Sequence, residues 1–85
     1  MSRFVASCIE DLYARWTSGW EDLQDFDLGI GRVTLCRSGS EYQVLRFWSV
    51  THYWESSPMV SVDYQGSSAE KAIDAVFKAA DLLTD

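Results

Sequence analysis

The apolar residues of this chain change their spacing twice, and that change limits the fold to a few arrangements. Phe4, Val5, Cys8, Ile9, Leu12, Tyr13 and Trp16 recur at three- and four-residue steps, which places them on one broad helical face. From Gly31 the period drops to two, with Arg32, Thr34 and Cys36 alternating with Val33 and Leu35 as on a strand. After Gln65 and Gly66 the helical period returns in Ile73, Val76, Phe77, Ala80 and Leu83. Amphipathic helices must bury their stripes against a sheet or against each other, so a mixed α+β domain is expected.

Punctuating residues set the boundaries. Ser2 can cap a first helix and Gly19 can end it, giving about Arg3 to Ser18. The stretch from Trp20 to Leu28 is expected as a short connector whose Trp20, Leu23 and Phe26 spacing admits one or two helical turns, with its carboxylates then facing water. Ser38, Gly39 and Ser40 supply a tight turn, and the β-branched and aromatic run from Tyr42 to Trp54 is about twice as long as its neighbours. Glu55 to Pro58 then turns the chain into a third strand, Met59 to Tyr64. A capping box in which Ser67 and Glu70 satisfy each other's amides starts the last helix. The expected order is α-β-β-β-α over a single domain of residues 1–85, a three-stranded antiparallel meander with both helices packed on one face.

Charge narrows the function. The formal net charge is −6, and Glu10 to Asp27 holds six carboxylates against Arg15 alone. Gripping phosphates needs clustered Lys and Arg, so direct nucleic-acid binding and anionic membranes are disfavoured. No apolar run reaches the length of a membrane span and no secretory leader is evident, so a cytoplasmic location is expected. Cys8 and Cys36 fall on apolar periodic positions, as two buried thiols rather than a disulfide. The absence of Asn, with two Lys against five Arg, fits a GC-rich bacterial or viral source.

Catalytic chemistry finds little to work with. His52 is the one histidine, a strand residue in an aromatic stretch, and Gly29-Ile-Gly31 is only a fragment of a glycine motif. Asp25 and Asp27, with Glu21 and Asp22 nearby, lack the further oxygen ligands of a calcium loop between Leu28 and Leu35. No enzyme activity, cofactor or metal is expected.

Aromatic residues make up 14% of the chain, a large volume for so small a core. Phe47 and Trp48 are strand neighbours and point to opposite faces. If Leu45 and Phe47 meet the helices, Trp48 lies on the other face beside Tyr42, Val44, Arg46, Val50, His52 and Trp54. Uncovered, that face would meet a partner or a second copy, because Trp, Tyr and Arg are enriched at interface hot spots. The alternative is that the sheet curls and Trp20 or the acidic connector folds over it. The candidate partner-binding residues are Glu21, Asp22, Asp25, Asp27, Arg46, Trp48 and Trp54.

The element order is similar to that of double-stranded-RNA-binding domains, but Ser67 to Asp74 carries Lys71 alone against Glu70 and Asp74, which removes the phosphate grip. Three functional classes fit: an inhibitor occupying a basic nucleic-acid-binding groove, a toxin-neutralising immunity protein, and a non-inhibitory adaptor or subunit. Small size, the acidic run from Glu10 to Asp27 and the α-β-β-β-α order together resemble virus-encoded anti-CRISPR proteins. That resemblance implies a basic protein partner in the host cytoplasm, a CRISPR surveillance complex or nuclease. Glu21, Asp22, Asp25 and Asp27 would then face the Lys and Arg that hold guide or target nucleic acid.

Overall fold

The computed structural model describes the backbone of residues 3–84, and the side chains of residues 9–84 except that of His52. The chain forms α1 (Arg3–Thr17), β1 (Glu21–Asp27), β2 (Gly31–Ser38), β3 (Glu41–His52), β4 (Glu55–Gly66) and α2 (Ala69–Thr84). The strands make one antiparallel meander in the order β1-β2-β3-β4.

The sheet therefore has four strands and not the expected three, because the acidic connector is itself a strand. Gly29 and Ile30 form the two-residue turn that makes it one. Gly29 has φ +82° and the Leu28 N–H donates to the Gly31 carbonyl at 2.9 Å, the arrangement of a hairpin turn with Gly at its first central position. Carboxylate residues are poor strand formers. Here they are offset by bases across the ladder, Glu21 opposite Arg37 and Asp27 opposite Arg32.

The helices lie on opposite faces of the sheet, not on one. Val44 and Leu45 are chain neighbours, both fully buried, and a strand sends neighbours to opposite sides. Val44 joins Val33, Leu35, Ala72 and Ala79 under α2, whereas Leu45 joins Cys36 and Phe47 with Leu12 and Tyr13 of α1. Both faces of β2 and β3 are apolar, so each needs a cover. On α2 the expected stripe is rotated: Ala72 and Ala79 are buried while Ile73 and Phe77 are 50% and 68% exposed. The small alanines let the helix approach closely, and it ends over Gly31, where a Cβ would sit 2.8 Å from a Leu83 methyl.

The α2 cap lies one residue later than expected. Ser68 Oγ, not that of Ser67, accepts the Lys71 N–H at 3.2 Å, and the Tyr64 hydroxyl fixes Ser68 by accepting its N–H at 3.0 Å. Gly66 makes room for that hydroxyl, which a Cβ there would approach to 2.6 Å. Helix α1 matches its expected span within a residue, and Cys36 is a buried free thiol. The side chains of Phe4, Val5 and Cys8 lie outside the described residues.

Candidate functional site

Element lengths create the most exposed feature. Helix α2 has 16 residues, about 24 Å at 1.5 Å each, whereas β3 has 12, about 40 Å when extended. Strand β2 pairs with β3 only as far as Trp48, opposite Gly31. Beyond that point β3 and β4 continue as a two-stranded ribbon, and the molecule is 41 Å along its longest axis.

Tyr53 and Trp54 form the ribbon's tip, a two-residue turn between the pair His52 and Glu55. The turn expected at Glu55 to Pro58 is strand instead, and Pro58 is tolerated because β4 is an edge. Tyr53 has φ +60°. The corresponding positions of the other two hairpin turns are Gly29 at +82° and Gly39 at +61°. A side chain in this left-handed region costs about 1–2 kcal/mol, a cost glycine escapes. Tyr53 and Trp54 are 80% and 88% exposed, their rings 5.8 Å apart, with Val50 and Met59 partly exposed behind them.

The four acidic candidates are engaged within the chain, not simply solvated. Arg37 donates to Glu21 at 3.0 Å. Asp22 accepts the Tyr13 hydroxyl and, at 3.5 Å, the Cys36 thiol. Asp25 takes both arms of Arg32, at 2.8 and 2.5 Å, and the Thr34 hydroxyl at 3.1 Å. Arg32 also reaches Glu10 at 3.2 Å and stacks on the Tyr13 ring at 3.7 Å. Asp27 accepts the Gly29 N–H at 2.9 Å. The cluster ties β1 to β2 and to α1.

Its electrostatics favour holding over reacting. The Arg32 bond keeps the Asp25 carboxyl below its usual range. Burial, and then the bond to Asp22, raises the Tyr13 phenol, and burial pushes the Cys36 thiol up to about 12, so no thiolate forms near neutral pH. Among the described residues no group of His, Cys, Asp or Glu converges as a metal site. None of their helices is long and apolar enough to cross a membrane.

The seven candidates do not form one surface. Arg46 and Trp48 lie on the α2 face, with the guanidinium 4.7 Å above the indole and held by Asp63 at 2.8 Å. Asp22 and Asp25 lie on the α1 face, opposite Cys36 and Thr34. Trp54 stands at the tip. The face expected to be open is covered by α2 at Val44 and bare only toward the ribbon, where Val50 is 46% and Met59 41% exposed. Tyr53 was not legible from sequence, because the positive φ of a two-residue turn favours Gly, Asn or Asp over an aromatic residue. No protein family, curated protein or solved structure matches the chain.

Proposed function

We propose that the chain is a non-catalytic binding protein that docks on another protein through the aromatic tip of the β3–β4 ribbon. One observation carries this reading: the turn holds Tyr53 at φ +60°, where both sister turns hold Gly, and pairs it with the 88% exposed Trp54. Strain kept at an exposed position marks a role outside the fold. Covering a tryptophan removes about 200 Å² from water, worth about 5 kcal/mol, enough for an anchor.

For the partner, the reading follows charge. Arg32, Arg37 and Arg46 are all spent in internal ion pairs, so the exterior of a chain with net charge −6 stays acidic. Such a surface is steered toward basic proteins, and nucleic-acid-binding proteins present such sites. The function proposed is inhibition of one of them, of the anti-CRISPR kind.

The test uses Tyr53→Gly, Trp54→Ser and the pair. Tyr53→Gly should fold at least as stably as the parent, gaining at most about 1 kcal/mol from relieved strain, while binding of the captured partner falls. The parent should displace nucleic acid from that partner and the double variant should not. Equal capture by parent and double variant would remove the tip from the interface, and a partner that never binds nucleic acid would remove the inhibitor reading.

A further inference from the structure

We infer that the groove between β4 and α2 receives an extended acidic segment of a partner protein, laid along the outer edge of β4. Strand β4 ends the sheet, and no backbone group of the described residues pairs with its outer edge. Beside that edge runs an open groove of about 620 Å³, with Val62 and Leu82, 39% and 59% exposed, among its apolar lining. An exposed edge next to an apolar groove is the geometry in which extended peptides add as a strand, with alternate side chains reading the groove.

Charge identifies the occupant. Lys71 and Lys78 are the chain's two lysines, and both line this groove. Neither makes an ion pair among the described residues, whereas Arg32, Arg37 and Arg46 all do. Against the single carboxylate of Asp74, two ammonium groups without an ion pair on one flank of one helix leave the groove basic in a chain of net charge −6, and that calls for carboxylates. Asp63 adds no competing charge, because Arg46 and Ser61 hold it at 2.8 and 2.6 Å.

Spacing narrows the motif. Seven helical residues separate the lysines by about 10 Å along the axis. Residues i and i+4 of an extended segment lie about 13 Å apart on one side, a difference two flexible lysine stems absorb. Asp74 lines the groove between the lysines, so a third carboxylate at i+2 would be repelled. An apolar residue at i+2 meets Ala75 and Leu82 of α2 instead. The groove therefore selects acidic-x-apolar-x-acidic. The chain's own acidic strand does not supply it, since β1 is already paired at the other edge of the sheet.

The probe is the peptide acetyl-Ser-Glu-Thr-Val-Thr-Glu-Ser-amide, titrated into the isotope-labelled full chain and followed by amide shifts. Saturable shifts confined to β4 and α2 are expected, with cross-strand contacts to β4. Lys71→Glu with Lys78→Glu should weaken binding at least about tenfold, and the peptide with Lys for both Glu should not bind. These lysines are exposed, so the fold persists. No shift at millimolar peptide, shifts centred on Tyr53 and Trp54, or equal binding of the lysine peptide would overturn the proposal. So would concentration-dependent broadening without peptide, which would assign the edge to a second copy. Failure of the ribbon tip as an anchor leaves this outcome untouched.

Discussion

Ser67 and Ser68 stand side by side before α2, and the position of one phenolic oxygen decides which of them caps it. The Tyr64 hydroxyl accepts the Ser68 N–H, which sets Ser68 Oγ over the Lys71 amide, while Ser67 is exposed. Ser68→Ala should lower stability by about 1 kcal/mol, and Ser67→Ala should stay within about 0.5 kcal/mol of the parent. Urea denaturation midpoints check both. Equal losses would mean that the two hydroxyls share the cap. A capping pattern of the form S-x-x-E is readable, but two serines in a row leave its register open, and the choice rests on Gly66 leaving room for the Tyr64 hydroxyl beside the Ser68 N–H. Tyr53 is illegible for the opposite reason. Local preference argues against it at positive φ, and the ladder on either side, from His52 and Glu55 back to Tyr42 and Gly66, outweighs that preference.

Strand β1 is the element in which local composition and tertiary context disagree most. Its seven residues include four carboxylates, and it is a strand because Arg32, Arg37, Thr34 and Tyr13 wait for them. The Asp25 carboxyl titrates below its unfolded value. Its stabilisation is therefore complete above the unfolded value, about 4, and is lost as pH falls through the folded one. Asp25→Asn should be less stable than the parent at neutral pH, with the gap closing in strong acid. Urea midpoints across pH measure it, and a gap that stays constant into strong acid would show that Asp25 acts by shape and not by charge. Helix α1 and strand β2 were legible because their periods are clean, and β3 because its β-branched and aromatic run is uninterrupted by Gly or Pro. The hairpin at Gly29 and Ile30 was legible in principle, but the four carboxylate residues of β1 are poor strand formers and mask its pairing. Engagement of those carboxylates was not legible, since it depends on register. The rotation of α2 was not legible because Ala72 and Ala79 are only weakly hydrophobic, whereas their smallness sets the approach of the helix.

At the scale of the molecule, a hairpin of two twelve-residue strands, longer in reach than the helices on its two faces, leaves one end covered and one end bare. The bare end carries the proposed anchor, and the groove with both lysines follows the flank of α2. The same strand order also governs how the chain reaches this state. Every strand pairs only with its neighbour in sequence, through two-residue turns, so the sheet assembles without closing a long loop. Docking α1 is different, because Leu12 shares a cluster with Val60 across most of the chain. The ladder should therefore form early in the folding transition state and the first helix should arrive after the barrier. Leu12→Ala should accelerate unfolding while leaving the refolding rate nearly unchanged in stopped-flow measurements. If refolding slows in proportion to the lost stability, α1 belongs to the nucleus. If it does not, a ribosome can release the meander already zipped, with the helix made before it the last to settle.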